Sequence, residues 1–229
     1  MEIECFAQQL FDFCGCNTEM KVINIMAASL DGRIASHANE SDAERKRHGF
    51  TNEADHEHML RWLRASDAVI VGGHSVNVSG GVMEVLNDRG TFPTWIMLTN
   101  HGFEADQAVW RHPNTPKWIV SSEALSEGRR GTAVKHVVYG DGQMVEETLE
   151  ACRAAGFQQV LLFGGGMVNR SFYAASAVDE LVLTLCPVAI GKTSGVPVVA
   201  PELPESVHFK LQSAEVEGDL VFIHYLVQR

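Results

Sequence analysis

The stretch Val160-Leu161-Leu162-Phe163-Gly164-Gly165-Gly166-Met167 decides the fold, because four apolar residues run directly into three glycines. A helix-like segment follows at residues 168–175, and a second apolar run covers residues 181–185. The order strand, glycine turn, helix, strand is typical of an α/β protein. Glycines let a ligand lie against bare backbone, and the unpaired N–H groups of the next helix attract phosphate. The stretch therefore indicates either a nucleotide cradle or a tight turn that binds nothing.

A second junction of the same kind occurs earlier in the chain. Val69-Ile70-Val71 runs into Gly72-Gly73, and His74-Ser75-Val76 then opens a helix with small polar residues. Two strand–glycine–helix junctions in one chain can hold the two halves of a dinucleotide. The second junction therefore favours the nucleotide cradle over the empty turn.

The first predicted strand ends in Ala27-Ala28-Ser29-Leu30-Asp31-Gly32. Ligands of α/β sheets bind at the carboxyl ends of the strands, where a carboxylate can accept hydrogen bonds from a ribose, a carboxamide or a heterocycle. Asp-Gly after an apolar run is also a common turn. Asp31 is therefore either a polar anchor at a reacting centre or a turn residue.

Composition restricts the class of protein. Of the 229 residues, 45% are hydrophobic and 21% are charged, as in ordinary soluble globular proteins. The formal charge is 18 − 29 = −11, and no long segment concentrates Lys and Arg. We therefore expect no nucleic-acid partner, since binding to a phosphate backbone depends on clustered cations. We also expect no membrane partner, because no apolar run approaches the ~20 residues that span a bilayer.

The cysteines indicate a reducing compartment. The chain has five of them, an odd number: Cys5, Cys14, Cys16, Cys152 and Cys186. Such a set does not fit a disulfide framework, and Cys14-Gly15-Cys16 lacks the second pair that a zinc site needs. We therefore expect a cytoplasmic protein without a metal.

Apolar runs of strand length alternate with stretches of helix length. The runs cover residues 22–28, 68–71, 94–98, 118–120, 134–139, 160–163, 181–185, 208–214 and 220–226. Helices are expected at residues 51–64, 144–155 and 169–177, whereas the charged segment 42–47 is expected to be an exposed loop. Continuous apolar strands favour a parallel sheet, and Glu217-Gly218-Asp219 predicts a hairpin.

These patterns predict an α/β fold. The central sheet is expected to be mixed and mostly parallel, with about eight or nine strands, helices on both faces and a C-terminal antiparallel hairpin. Residues 20–229 are expected to form a single domain, and residues 1–19 an N-terminal extension.

Three segments together resemble a known family. They are Ala28-Ser29-Leu30-Asp31-Gly32-Arg33, residues 63–73, and Gly164-Gly165-Gly166 followed by residues 177–191. In this order and spacing they resemble the reductase domain of riboflavin biosynthesis, the C-terminal half of the bifunctional pyrimidine deaminase/reductase. The resemblance covers residues 20–227 and implies a dihydrofolate reductase-like fold. The zinc signature of the deaminase half does not occur in the sequence.

The resemblance implies an NADPH-dependent reductase that acts as a homodimer. The family reduces the ribosyl group of a phosphoribosylamino-pyrimidine to a ribityl group, by hydride transfer to the imine carbon of the ring-opened sugar. The leading substrate is 5-amino-6-(5-phosphoribosylamino)uracil. A dihydrofolate or pterin-type reductase and a non-catalytic nucleotide-binding homologue stay open as alternatives.

The resemblance also implies site residues. Arg64 and Ser29 match substrate contacts, although Arg64 equally fits a cation at a helix C-terminus. Asp31 is the candidate catalytic residue. Donors to a 2′-phosphate are sought among Thr99, Asn100, Ser121 and Ser122. The positions that match cofactor contacts are Ala28, Gly72, Gly73, Ser75, Val76, Gly164, Gly165, Gly166, Met167 and Val168.

The chain departs from the family at positions that contact substrate. Asn77-Val78-Ser79 stands where the family usually carries Asp-Asp-Pro, and Phe163 stands where it often carries Glu. The cofactor motifs are thus better preserved than the substrate motifs. This pattern predicts a retained cofactor site with a changed substrate.

Overall fold

The computed structural model of the protein describes residues 19–229. The extension predicted for residues 1–19 lies outside the described residues except for Glu19, as do Cys5, Cys14 and Cys16. The 11 strands are β1 (Lys21–Ser29), β2 (Arg33–Ala35), β3 (Ala68–Gly72), β4 (Thr94–Leu98), β5 (Lys117–Ser121), β6 (Lys135–Val138), β7 (Gln159–Leu162), β8 (Glu180–Cys186), β9 (Val196–Pro197), β10 (His208–Glu217) and β11 (Leu220–Gln228).

The helices lie between these strands. They are α1 (Asp42–Arg47), α2 (Glu53–Arg64), α3 (Gly73–Ser79), α4 (Glu127–Arg130), α5 (Met144–Ala154) and α6 (Gly166–Ala174), with a 3-10 turn at Ala108–Trp110. No helix within residues 19–229 has the length and apolar character needed to cross a membrane.

The central sheet contains nine strands in the order β10-β11-β8-β1-β7-β3-β4-β5-β6. Neighbouring strands pair in parallel along the spatial order β8-β1-β7-β3-β4-β5-β6. Strand β11 runs antiparallel to both of its neighbours, β8 and β10. This arrangement confirms the predicted mixed, mostly parallel sheet with a C-terminal hairpin. Strands β2 and β9 form a separate antiparallel pair that the sequence pattern did not predict.

Helices cover both faces of the sheet, which explains the continuous apolar runs. Every residue of β3, β4 and β5 is buried. Helices α5 and α6 pack on one face through residues such as Leu149 and Phe172. Helix α2 packs on the other face through Leu60 and Leu63. In a strand that is buried on both faces, apolar residues do not alternate with polar ones, so the sequence shows a continuous apolar run.

Two predictions about helices were wrong, one in the type of element and one in its bounds. The charged segment Asp42–Arg47 is helix α1, not a loop, because Ser41 and Glu44 form a reciprocal capping box at its start. Helix α6 begins at Gly166 and ends at Ala174, earlier than the predicted residues 169–177. Its first turn therefore contains the last of the three glycines.

The sheet divides at the carboxyl end of β1. The register of β1 with β7 covers only residues 21–24, up to the pair Asn24 and Leu162. Its register with β8 continues to Ser29 and Cys186. Within the described part of the chain, residues 25–29 therefore pair on one side only. The edge of β1 that is left unpaired faces the end of β7, and we call the place where the two strands part the crevice; it lies at the end of the sheet where ligands bind in α/β folds.

A network of buried amides supports the floor of this crevice. The Asn24 side-chain amide donates to the Leu162 carbonyl at 2.8 Å and to Asn169 Oδ1 at 3.1 Å. The Tyr173 hydroxyl donates to Asn24 Oδ1 at 3.0 Å, and Asn169 Nδ2 donates to the Val198 carbonyl at 2.7 Å. The network joins β1, β7, α6 and the loop after β9.

Replacement of Asn24 tests this network. Asn24→Leu keeps the branching of the side chain but leaves Asn169 Oδ1, the Leu162 carbonyl and the Tyr173 hydroxyl without their bonds to Asn24, so we expect the free energy of unfolding to fall by about 1–3 kcal/mol. Urea denaturation measures the loss, with Glu150→Gln on the exposed side of α5 as the control. A loss no larger than that of the control would show that the network does not stabilise the fold.

Candidate functional site

The two predicted glycine turns lie side by side in the structure. The Gly72 N–H donates to the Gly164 carbonyl oxygen at 2.9 Å. The Gly165 N–H donates to Ser75 Oγ at 3.2 Å. Because β3 and β7 are neighbours in the sheet, the ends of both strands meet at the crevice. The structure therefore brings together the two segments that the sequence associates with a dinucleotide.

Close packing accounts for several of these glycines. A Cβ atom on Gly73 would lie 2.8 Å from Thr99 Cβ, and one on Gly166 would lie 2.7 Å from the Pro197 carbonyl oxygen. Gly164 has a φ of +71°, and a Cβ there would lie 2.8 Å from Asn169 Oδ1. The peptide bond between Gly164 and Gly165 is cis. These glycines are required by the protein itself, whatever binds beside them.

Gly165 differs from its neighbours. The nearest atom to a Cβ at Gly165 would be Ser75 Oγ at 3.3 Å, followed by Ile34 Cδ1 at 3.9 Å. This residue is the N-cap of α6, and no side chain caps the helix. Within residues 19–229, the N–H groups of the first turn of α6 have no side-chain cap and can meet an anion beside a backbone that is less crowded than at Gly164 or Gly166. The arrangement fits the diphosphate of a dinucleotide.

A cavity of about 190 Å³ adjoins the first turn of α6 at the carboxyl ends of β4 and β5. Its walls combine apolar side chains with hydroxyl and amide groups. They are formed by Leu98, Thr99, Asn100, Val120, Tyr139, Met144, Met167, Val168 and Ser171. The Met167 side chain is 74% exposed at this cavity, whereas Val168 also packs against Gly72. The cavity thus lies beside the start of α6, next to the second glycine turn.

Two of the four expected phosphate donors line this cavity. They are Thr99 and Asn100, and Asn100 Oδ1 accepts hydrogen bonds from the Ser122 N–H at 2.9 Å and the Tyr139 hydroxyl at 3.2 Å. Ser121 is instead buried, and its hydroxyl donates to the Glu123 carbonyl at 2.6 Å. Sequence reasoning missed Tyr139, Met144 and Ser171, which reach the cavity from three separate segments.

The Asp31 carboxylate makes several contacts within its own turn and with a distant loop. Ser29 Oγ donates to Oδ1 at 2.7 Å, and the N–H groups of Ile190 and Gly191 donate to the two carboxylate oxygens at 2.9 and 2.8 Å. The hydrogen bond from Ser29, followed by those from the two backbone amides, lowers the pKa of Asp31 to about 2. Asp31 is therefore an anion at neutral pH and has no proton to donate.

Three further predicted site residues of β1 and α3 are buried, namely Ala28, Ser29 and Val76. Ala28 lies on the part of β1 that borders the crevice. Ser29 is buried, and its hydroxyl accepts the Arg33 N–H at 2.9 Å while it donates to Asp31. Val76 belongs to α3 and packs in the apolar core that this helix covers. Ala28 and Val76 can thus contribute backbone or apolar surface to a cofactor, whereas Ser29 orders the turn.

Arg64 is not brought together with the glycine turns. It is the last residue of α2, and β3 begins only four residues later. Its carbonyl accepts the Asp88 N–H at 2.8 Å, at the amino end of the parallel strands. The guanidinium lies 4.0 Å from Glu57, back along the same helix. Its role in substrate binding stays a prediction.

Two further residues lie on the face of the sheet that α2 covers. Phe163 follows β7 and meets the Trp95 ring edge-on, with ring centroids 5.7 Å apart. Asp55 lies in the first turn of α2 and is 9% exposed. Burial raises the pKa of its carboxyl, and a hydrogen bond with Thr184 offsets only part of that rise.

The chain was compared with known proteins. Residues 20–222 match the family model described as the RibD C-terminal domain. A similar curated protein is the 2,5-diamino-6-ribosylamino-4(3H)-pyrimidinone 5′-phosphate reductase of Methanothermobacter thermautotrophicus. It is 23% identical over 227 residues, which cover 90% of this chain and 98% of that protein.

Solved structures share the fold. RibD of Acinetobacter baumannii superposes with a TM-score of 0.74 at 17% identity, over 93% of this chain and 59% of that chain. A pyrimidine reductase-like protein of Corynebacterium diphtheriae gives 0.72 at 16% identity, over 93% of each chain. The riboflavin biosynthesis reductase of Saccharomyces cerevisiae gives 0.66 at 17% identity, over 97% and 99%. The fold is thus the dihydrofolate reductase-like fold of these reductases. With a family model matched along most of its length and the same arrangement of strands, the chain belongs to the RibD C-terminal domain family.

Proposed function

We propose that this chain is an NADPH-dependent reductase of a phosphoribosylamino-pyrimidine, which converts the ribosyl group to a ribityl group. The observation that carries the proposal is the junction of the two glycine turns beside the uncapped start of α6. The family's reductases support the reaction type. Where NADPH is bound, the nicotinamide supplies the hydride.

The residues of the chain bind and orient in this proposal. Gly165 and the first turn of α6 hold the diphosphate, since an uncapped helix start attracts anions. Thr99, Asn100 and Ser171 offer hydrogen bonds to the rest of the nucleotide in the adjoining cavity. The unpaired edge of β1 at residues 25–29 offers backbone N–H and C=O groups to the nicotinamide end. Asp31 holds the loop at Ile190 and Gly191 in place, and its role as a catalytic residue stays a prediction.

Cofactor binding is tested with a matched pair of glycine variants. A ligand at 100 times its dissociation constant stabilises a protein by about 2.7 kcal/mol, so NADPH should raise the melting temperature of the wild type clearly. Gly165→Ala places a methyl group beside the uncapped helix start, 3.3 Å from Ser75 Oγ, and we expect it to reduce NADPH affinity at least about tenfold, roughly 1.4 kcal/mol. Gly128→Ala is the control, because no atom lies within 4 Å of its Cβ position.

The same titration separates the alternatives. A shift with NADH as large as that with NADPH would contradict the preference for the phosphorylated cofactor. No shift with either nucleotide would rule out the reductase. A shift without oxidation of NADPH in the presence of pyrimidine and folate substrates would identify a nucleotide-binding homologue, which the replacement of the family's Glu by Phe163 favours. Oxidation with dihydrofolate alone would identify the pterin-type reductase.

The positioning role of Asp31 has a pH dependence. Its pKa is lowered from 3.8 to about 2, so its contribution to the loop is present above about pH 4 and is lost as the pH falls towards 2. We expect the Ile190 and Gly191 amides to keep their hydrogen-exchange protection factors down to pH 4 and to lose them below it. Asp31→Asn should lower both protection factors at pH 7, whereas Asp141→Asn on an exposed turn should not. Unchanged protection in Asp31→Asn would contradict the role.

We propose that the protein is a homodimer and that β10 contributes to the interface. This edge strand is almost entirely exposed along its length. Leu211 and Val216 on it are 54% and 75% exposed. Long exposed edge strands are usually covered or paired.

Light scattering should give twice the chain mass, and Leu211→Glu should shift the protein towards the monomer. The control is Val134→Glu, which adds the same charge at an exposed apolar position beside β6, on the other edge of the sheet. A monomeric wild type would contradict the proposal.

We also propose a cytoplasmic location. Within residues 19–229, both cysteines are free thiols in the core, Cys152 and Cys186. Burial raises the pKa of each thiol to about 12, so they stay protonated and unreactive. This state suits a reducing compartment.

A further inference from the structure

A second cavity lies between α2 and the C-terminal hairpin, and we call it the hairpin cavity. Its volume is about 190 Å³, and it borders β8, β10 and β11. The cavity beside the glycine turns instead borders β4 and β5, on the other side of β1 in the sheet. The two cavities have no lining residue in common. The walls of the hairpin cavity are His58, Trp62, Val182, Ser213, Glu215, Phe222, Ile223 and His224.

Two pairs of aromatic rings belong to the wall of the hairpin cavity. His58 and Trp62 are four residues apart in α2, so both lie on the same face of the helix. The His58 ring stacks on Phe222, with centroids 4.1 Å apart and an angle of 6° between the ring planes. The Trp62 ring meets His224 edge-on, with centroids 5.5 Å apart. Rigid rings from both the helix and the sheet give the cavity a flat apolar surface, which suits a planar ligand.

The His58 ring carries an unpartnered hydrogen-bond donor. Its Nδ1 lies 3.0 Å from a guanidinium nitrogen of Arg61, which can only donate. Nδ1 therefore accepts this bond, and the hydrogen of the neutral ring is on Nε2. Burial, and then the charge of Arg61, lower the pKa of His58, so the ring is neutral at pH 7. Within residues 19–229, Nε2 is buried and has no hydrogen-bond partner. Such a donor is costly unless a bound molecule supplies an acceptor.

The charges around the hairpin cavity favour an uncharged ligand. Among the described residues that line it, none is Lys or Arg. The carboxylate of Glu180, which bonds to the His224 ring, is already paired by Lys21 at 2.8 Å and by His224 at 2.9 Å. Glu215 is exposed and contributes the one carboxylate of the walls, which repels an anion. A ligand that complements these walls therefore has an acceptor for His58 and a donor for Glu215.

We propose that the hairpin cavity binds a small, uncharged, planar ring that carries a cyclic amide. Because the His58 ring is part of the wall, the amide carbonyl can accept its Nε2–H, and the amide N–H donates to the Glu215 carboxylate. The apolar part of the ring packs against the aromatic wall at Trp62. A cavity of roughly 150 Å³ holds benzene, so the hairpin cavity has room for a single six-membered ring. The site is separate from the proposed reductase site and does not depend on it.

The probe that tests this site is 2-pyridone, a planar six-membered cyclic amide. The readout is the set of indole N–H resonances from the four tryptophans of the full chain, with Trp62 assigned from a Trp62→Phe variant. We expect a saturable shift of the Trp62 resonance. Toluene, which has the same size and no amide, should bind at least about tenfold more weakly. No saturable shift with 2-pyridone, or equal binding of toluene, would overturn the inference.

A matched pair of histidine variants tests the donor. His58→Phe keeps a ring that can stack on Phe222 and removes the N–H, so it should weaken 2-pyridone binding at least about tenfold. His56→Phe makes the same change at an exposed position of α2 and should keep the affinity within about twofold. Without ligand, His58→Phe should melt at or above the wild-type temperature, because an unpartnered buried donor is lost. Unchanged affinity in His58→Phe, or a melting temperature below that of His56→Phe, would make His58 a structural residue and overturn the inference.

A pair of probes tests the amide N–H without a change in the core. Glu215 is exposed on β10, so Glu215→Ala leaves the packed residues in place. It should weaken the binding of 2-pyridone about threefold or more and leave that of N-methyl-2-pyridone unchanged, since the methylated ring has no N–H to donate. Equal effects on both probes would overturn the cyclic amide as the ligand class. NADPH affinity should be the same in His58→Phe as in the wild type, and a loss would contradict the separation of the two sites.

Discussion

The hydrogen bond from the Gly72 N–H to the Gly164 carbonyl is the constraint on which the site depends. It joins the ends of β3 and β7 at the level where β1 has already separated from them. The two glycine turns meet at this point, and each leads directly into a helix, α3 after β3 and α6 after β7. Side chains at Gly73, Gly164 or Gly166 would collide with neighbouring atoms of the protein. Gly165 is less crowded than these three, since the nearest atom to a Cβ there would be Ser75 Oγ at 3.3 Å.

Neutral amides rather than charges support this junction. Asn169 lies directly beneath Gly164 and reaches the Val198 carbonyl on the loop after β9. Asn24 connects the same amide to β1 and to Leu162. An amide donates and accepts at once, so a chain of amides can satisfy several buried groups without the desolvation penalty of an ion. The glycine turn and the loop at residues 196–200 are thereby held as one unit.

The main strands were predictable because burial on both faces leaves an unbroken apolar run in the sequence. The pair β2 and β9 was not, since strands of three and two residues carry no periodic signal. The position of Arg64 could have been worked out: a helix that ends four residues before a strand ends at the amino edge of the sheet. Asp55 could not be separated from an ordinary capping residue, because its distinction lies in Thr184, which is 129 positions away in the chain.

The exchange of the family's Glu for Phe163 and the burial of Asp55 belong to one physical argument. Phe163 meets Trp95 edge-on and makes the β7 side of the crevice apolar. An apolar surface lowers the local dielectric constant, so a charged group is costly beside it. Asp55 meets this condition on α2, where burial raises the pKa of its carboxyl. A carboxylate at position 163 would meet it as well, because it would lose hydration against the Trp95 ring and its pKa would rise. Phe163 avoids that cost and gains an aromatic contact with Trp95 in place of the acidic group.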